Sequence, residues 1–153
     1  MLSLRSTRRL FTNFAVTMLF LSAIGGIFMT EAQAADTAIR GYDTVAYFTD
    51  AKAVKGVESY SFTWHNLTWH FVSKEHRDLF AADPAKYAPQ YDGFCAWAMT
   101  ESRLAYTDPE VWKVVDNKLY LNCSPSAFEK WSRDIPGNIK KADAIWLKMQ
   151  SGK

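Results

Sequence analysis

Aromatic and β-branched residues alternate with polar ones over residues 59–73, and this alternation predicts a β-hairpin. A turn at Asn66-Leu67 would place Trp64 opposite Trp69, and a loop over residues 65–68 would keep that pair. The apolar face, predicted to belong to the core, is formed by Tyr60, Phe62, Trp64, Trp69 and Phe71. The polar face carries Ser61, Thr63, His65, Thr68 and His70.

A second hairpin is predicted from residues 111–115 and 118–122, which flank the turn-forming pair Asp116-Asn117. One apolar face of this hairpin is shared by Trp112, Val114, Leu119 and Leu121. Cys123 follows Leu121 by two positions, so a continuing strand would place both on the same side.

Several helices are predicted from capping residues and apolar spacing. Ser73 is placed to cap a helix from Lys74 to about Ala82, and Asp83-Pro84 restarts a short turn after it. Ser124-Pro125 begins another helix, and a last one follows the break at Pro136-Gly137. The side chains expected to face inward are, in order, His76, Leu79 and Phe80, then Phe128 and Trp131, then Ile139, Ala142, Ile145, Trp146 and Met149.

The order of these elements predicts an α+β fold, because strands come early and in the middle with helices between and after them. We expect residues 35–153 to form one small domain. Its two β-hairpins would form an antiparallel sheet that is packed by several short helices. The sequence shows no internal repeat, and residues 35–39 are expected to be a short mobile lead.

Residues 1–34 have the three parts of a secretory signal peptide. These are a positive region (Arg5, Arg8 and Arg9), an apolar run over residues 14–28, and a cleavage pattern at Ala32-Gln33-Ala34. Cleavage near Ala34 predicts a periplasmic or secreted protein, and an uncleaved segment would be the chain's contact with a membrane. The segment TRRLF at residues 7–11 resembles the twin-arginine export motif, and both that route and general secretion remain open.

The charge of the mature chain argues against one class of partner. Arg5, Arg8, Arg9 and Glu31 precede the cleavage point, so the 18 basic and 16 acidic residues fall to 15 of each. A neutral chain without a basic face is not expected to bind nucleic acid. The remaining aromatic residues are sufficient for a real core.

Several segments of the chain resemble, in the same order, the motifs of one known protein family. The opening GYDTVAYF at residues 41–48 is similar to that family's GYDPVAYF, with Thr44 in place of proline. The other similar segments are WHFVS at 69–73, Phe80 with Asp83-Pro84 and Tyr87, PQYDGFCA at 89–96 and KLYLN at 118–122. The resemblance is to exported YHS-domain proteins, covers about residues 40–146 and implies a YHS-like fold. It also implies kinship with small metal-binding modules of the TRASH type, which occur beside copper and heavy-metal transport proteins.

The metal-binding relatives use the pattern Phe-Cys-Ser-x-x-Cys, and the similar segment here reads FVSKEH at residues 71–76. Val72 therefore stands where the first thiol would be, and His76 stands where the second would be. The resemblance leaves His76 as the one ligand in this segment.

Cys95 is the leading candidate ligand for a soft metal ion, copper above all. It follows Gly93, where a backbone without Cβ permits close approach, and it matches the family's Gly-Phe-Cys-Ala segment. Met99 lies four residues later and could add a thioether, since soft sulfur donors favour Cu(I). The alternatives are a buried cysteine that acts as a small hydrophobe and a methionine that fills the core.

The three histidines are further candidates. His65 and His70 would be diagonal neighbours on the first hairpin, with backbone positions ~7–8 Å apart, and imidazole suits copper or zinc. The alternative is two exposed histidines that flank a turn. His76 would face inward from its helix, where it would bind the ion or be a satisfied core histidine.

Cys95 and Cys123 also allow a disulfide, because an even pair of cysteines in an exported protein often forms a bridge. Such a bridge would stabilise the domain by ~3–4 kcal/mol in the chain-entropy model. It would suit a periplasmic accessory or protein-interaction domain without a metal. A thiol enzyme needs a thiolate with a low pKa at Cys95, and no nucleophile signature surrounds that residue.

No catalytic residue is assigned from the sequence, which has neither a Gly-rich phosphate loop nor an HExxH helix. Asp43 is expected to accept hydrogen bonds from nearby backbone amides. The sequence therefore predicts an exported domain that binds a soft metal without catalysis, or one that docks on a periplasmic protein.

Overall fold

The computed structural model describes residues 36–152, which form a small α+β domain. The strands are β1 Asp36–Thr37, β2 Val57–Trp64, β3 Leu67–Phe71, β4 Asp108–Val115 and β5 Lys118–Asn122. The helices are α1 Ala46–Thr49, α2 Lys74–Ala82, α3 Pro84–Tyr87, α4 Ala96–Thr100, α5 Pro125–Ser132 and α6 Ile135–Ser151. The predicted signal peptide lies outside the described residues. Within 36–152, no helix has the length and apolar character to cross a membrane.

The strands form two sheets, so the prediction that both hairpins build one antiparallel sheet was wrong. One sheet is mixed, in the order β1-β3-β2, and the other is the antiparallel pair β4-β5. The chain between the hairpins includes α2, α3 and α4. The first hairpin packs against α2, and the second packs against α4, α5 and, through Leu119 and Leu121, Tyr47 of α1. Asp36 and Thr37 pair in parallel with Leu67 and Thr68, so this part of the predicted mobile lead is a strand.

The first hairpin turns at His65-Asn66, one residue earlier than the predicted Asn66-Leu67 turn. Both turn residues have positive φ (51° and 59°), as a two-residue primed turn requires. Trp69 therefore pairs with Phe62 rather than with Trp64. The partner of Trp69 is thus displaced by two residues from the predicted one. This displacement leaves the same side chains on the apolar face, because strand side chains alternate with a period of two.

Tyr60 is the exception on that face. The register of β2 shifts between Val57 and Ser61, and Tyr60 is 36% exposed. The irregularity breaks the alternation on which its predicted burial depended.

The second hairpin and the helix starts follow the sequence. β4 and β5 join at Asp116-Asn117, and Trp112 pairs with Leu121 as predicted. Three side-chain caps accept a hydrogen bond from the backbone N–H three residues later: Ser73 from His76, Asp83 from Lys86 and Ser124 from Ala127. The last helix begins at Ile135, before the predicted break, because Asp134 caps it and Pro136 is tolerated in its first turn.

Two parts of the domain show the same order of elements, although the sequence shows no repeat. Ala38–Gly41 and Gln90–Gly93 each contain residues in the left-handed region, and they are termed the left-handed turns. Each left-handed turn is followed by a short helix, a β-hairpin and a longer helix. We term residues 38–82 the first motif and residues 90–132 the second motif. The two motifs are therefore alike in their order of elements and not in their sequences.

Candidate functional site

The two cysteines meet at the end of the second hairpin. Cys95 precedes α4 and is fully buried, and its backbone N–H donates to the Ala105 carbonyl. The Cys123 backbone N–H donates to the Cys95 Sγ at 3.1 Å. Both residues are free thiols, and Cys123 is half-buried. The sulfur of Cys95 is thus held beside a second, more accessible thiol.

The prediction that Cys123 continues the apolar face of β5 was wrong. The strand ends at Asn122, so the alternation of side chains does not extend to the next residue. Leu121 packs with Tyr47 and Leu119, whereas Cys123 packs against the cluster that contains Cys95. This departure from the strand brings the two thiols together.

Asn122 completes the polar surroundings of Cys95. Its Oδ1 accepts a hydrogen bond from the Trp97 backbone N–H at 3.1 Å and lies 3.9 Å from the Cys95 sulfur. Its Nδ2 is buried and has no hydrogen-bond partner among the described residues. A buried amide donor of this kind is uncommon.

The Cys95 thiol is neutral at ordinary pH. Burial raises the pKa of Cys95 to about 11, and a hydrogen bond with the Cys123 side chain acts in the same direction. The backbone N–H groups of Ala98 and Cys123 point at the sulfur and partly oppose this rise. A metal ion that binds here must displace the thiol proton.

Met99 is not placed beside the cysteine pair. It is fully buried and packs with Tyr91, Tyr120 and Trp131, whereas Cys95 packs with Ala98 and Ala127. The geometry favours the alternative in which Met99 fills the core.

His76 belongs to a different cluster, around Asp43. Its Nδ1 lies 2.7 Å from Asp43 Oδ2, and its Nε2 lies 3.5 Å from the hydroxyl of Thr49. The side chain of Asp43 is fully buried and also accepts backbone hydrogen bonds from Val45, Ala46 and Val72. The prediction that Asp43 accepts nearby backbone amides is confirmed, and His76 is a satisfied histidine.

The hairpin histidines are not diagonal neighbours on a polar face. His65 is a turn residue whose ring stacks on Trp64, with the centroids 3.7 Å apart. His70 pairs with Ser61 beside the register shift of β2, away from the turn. The turn at His65-Asn66 removes His65 from the strand, so the predicted arrangement of these two imidazoles was wrong.

A cleft of about 770 Å³ opens elsewhere, and neither cysteine lines it. Both left-handed turns and the β2–β3 turn contribute to its walls. Its lining includes Arg40, His65, Asp92 and the aromatic ring of Tyr106, which is 86% exposed. The sequence gives no sign of this cleft, because the segments that line it are far apart in the chain.

The side chains available as ligands limit which metal ions the described residues could bind. Structural zinc takes four ligands, and no group of three or more His, Cys, Asp or Glu side chains comes together within residues 36–152. Two thiols at one place fit a soft ion such as Cu(I), for which thiolates are preferred ligands. The Cys95–Cys123 pair is therefore the best candidate metal site.

Compared with known proteins, the chain matches no family model, no curated protein and no solved structure. The resemblance to exported YHS-domain proteins accordingly stays a prediction.

Proposed function

We propose that this chain is an exported, non-catalytic domain of the YHS type that holds a soft metal ion, copper(I), between Cys95 and Cys123. The observation that carries the proposal is the convergence of the two free thiols, with the Cys123 N–H at 3.1 Å from the Cys95 sulfur. Residues 95 and 123 are distant in sequence, and the fold brings them together. The resemblance of residues 40–146 to a family related to metal-binding modules supports the same function.

The burial of the pair suits the storage or handling of an ion rather than catalysis. Cys95 is closed to solvent, so an ion reaches the pair from the side of the half-buried Cys123. When bound, Cu(I) supplies no bond-breaking chemistry in this proposal. Two soft thiolates hold it, and the surrounding Ala98 and Ala127 exclude water.

The test is a Cu(I) titration of the reduced mature protein against a chromophoric competitor. Cys95→Ser and Cys123→Ser should each abolish competition, because each removes one of the two thiolates. Met99→Leu is the matched control, since it replaces a sulfur that packs in another cluster and nearly conserves volume. Equal, negligible affinity in the wild type and in Cys95→Ser would remove the proposal.

A second candidate function follows from the same contact between thiols. The pair would be a structural disulfide in a domain that docks on a periplasmic protein. The exposed side chains of Leu104 and Tyr106 favour a docking surface. Mass measurement after alkylation of the exported protein separates the two functions: a bridge leaves both cysteines unlabelled until reduction, whereas free thiols are labelled on unfolding alone.

A further inference from the structure

The two motifs are equivalent residue by residue at their left-handed turns. Ile39 and Arg40 have φ/ψ of 37°/44° and 55°/25°, and Tyr91 and Asp92 have 59°/36° and 53°/29°. A glycine with positive φ ends both turns, Gly41 at 76° and Gly93 at 80°. Left-handed runs of non-glycine residues are uncommon, so their recurrence at the same place in both motifs is specific.

The hairpins repeat the same pairing at one constant spacing of 51 residues, from Val57 to Asp108. Val57 pairs with Phe71, and Asp108 pairs with Asn122. The register then shifts at the same place in both hairpins, after Val57 and after Asp108. The spacing continues into the helices, where the caps Ser73 and Ser124 are equivalent. Insertions would have changed the spacing, so the hairpin and the following helix correspond without a gap.

The left-handed turns are 52 residues apart, so the second motif has one residue fewer between its turn and its hairpin. Counted from the glycine that ends each turn, Asp43 and Cys95 occupy the same position, two residues later. The Asp43 carboxylate accepts hydrogen bonds from the backbone of Ala46 and of Val72. The Cys95 sulfur receives the equivalent donors, the backbone N–H groups of Ala98 and Cys123. Each motif therefore has one buried acceptor that ties the short helix to the end of the hairpin.

The second position differs between the motifs. In the first, His76 lies three residues after the cap Ser73 and reaches the acceptor at 2.7 Å. In the second, the residue three after the cap Ser124 is Ala127, which is 6% exposed and packs against Cys95. A methyl group here leaves the Cys95 sulfur without the imidazole partner that the equivalent carboxylate has.

We propose that residues 95 and 127 form the same two-position socket as Asp43 and His76, in which the first position is the buried acceptor and the second is its partner. Alanine at position 127 determines whether this socket holds a structural contact or a soft metal ion. An imidazole at the second position pairs with the acceptor and makes the socket structural. An alanine leaves the sulfur free to bind a soft ion together with Cys123. The specificity part rests on the proposed copper function, whereas the socket itself does not.

The socket is tested without metal by a double-mutant cycle on the full mature chain. Cys95→Asp and Ala127→His are made singly and together, and unfolding by urea is measured for each. The pair should recreate the carboxylate–imidazole contact, so the double variant is expected to be at least about tenfold more stable in its unfolding equilibrium than additivity predicts. Additive effects would overturn the socket.

The specificity part is tested by Ala127→His alone with Cu(I) as the probe. The added imidazole should pair with the Cys95 thiol as His76 pairs with Asp43, so Cu(I) affinity should fall by about tenfold or more. Ala144→His, at an exposed position of α6, is the control for a histidine added away from the socket and should not lower the Cu(I) affinity. Coupling in the cycle together with an unchanged or higher Cu(I) affinity in Ala127→His would overturn the specificity part. Failure of the wild type to bind copper would overturn the proposed function and, with it, the specificity part. The double-mutant cycle would still show whether positions 95 and 127 form the socket.

Discussion

The Nδ1 of His76 lies 2.7 Å from Oδ2 of Asp43, and the carboxylate of Asp43 is fully closed to solvent. The same carboxylate accepts the backbone N–H of Val72 at 2.8 Å and that of Val45 at 2.9 Å. One side chain thus joins α1, the end of the first hairpin and α2. Such a buried acceptor stabilises the first motif because several buried donors depend on it.

Asp43→Ala is expected to destabilise the domain by about 3–5 kcal/mol, since it leaves buried N–H groups and the His76 ring without their acceptor. Urea unfolding measures the loss. Asp50→Ala is the control at an exposed position of the same segment and should change stability by less than about 0.5 kcal/mol. Similar losses in both variants would contradict the anchoring role of Asp43.

Gly56→Ala should cost more than a glycine substitution usually does. A Cβ at this position would lie 2.4 Å from the His70 carbonyl carbon and 2.6 Å from the Phe71 nitrogen. Backbone atoms cannot yield as a flexible side chain does, so we expect a loss of about 1–3 kcal/mol or more. The matched control is Gly152→Ala, whose Cβ would meet its nearest atom at an ordinary 3.5 Å. Equal denaturation midpoints for the two variants would show that the backbone at Gly56 lies farther from His70 and Phe71 than described.

Thiol labelling should distinguish the two cysteines. Because burial raises the pKa of Cys95 to about 11, the thiol remains protonated through neutral pH and becomes a thiolate only as the pH approaches that value. In the reduced native protein at pH 7–8, iodoacetamide should label Cys123 before Cys95, and unfolding should make both reactive. Peptide mass spectrometry follows each site, and equal native rates would contradict the described burial.

The sequence predicts local structure well where a side chain acts on its own backbone. Ser73, Asp83 and Ser124 cap helices as predicted, because capping depends on residues three apart. The Asp116-Asn117 turn is correct for the same reason. Pro136 gave a false break because proline is compatible with a first helical turn once Asp134 caps it.

The structural repeat and the contacts between distant residues could not be predicted from the sequence. The repeat is hidden because the two hairpin–helix stretches share Asn66 with Asn117 and Ser73 with Ser124 but differ at most other positions. Aligned backbones, rather than shared residues, reveal that Cys95 corresponds to Asp43. Pairing of Cys95 with Cys123 was one of several open interpretations, whereas the separation of His76 and Met99 from the two cysteines could be found only from the fold.

Two buried tryptophans offer a test of hydrogen-bond satisfaction. The Trp69 Nε1 donates to the Trp64 carbonyl at 3.2 Å, whereas the buried Trp131 Nε1 has no partner within the described part of the chain. Trp69→Phe removes a hydrogen bond as well as ring volume, so it should cost about 1 kcal/mol more than Trp131→Phe. Denaturant unfolding of both variants provides the comparison, and a larger loss for Trp131→Phe would mean that its indole N–H is satisfied.

X-ray absorption at the copper edge tests the central claim most directly, because it identifies the atoms that hold the ion. For the reduced mature protein loaded with one equivalent of Cu(I), the account predicts a first shell dominated by two sulfur neighbours. Cys95→Ser or Cys123→Ser should each remove that sulfur pair, and Met99→Leu should leave it unchanged. A first shell of nitrogen and oxygen in the wild type, or a sulfur shell that survives both serine substitutions, would contradict it.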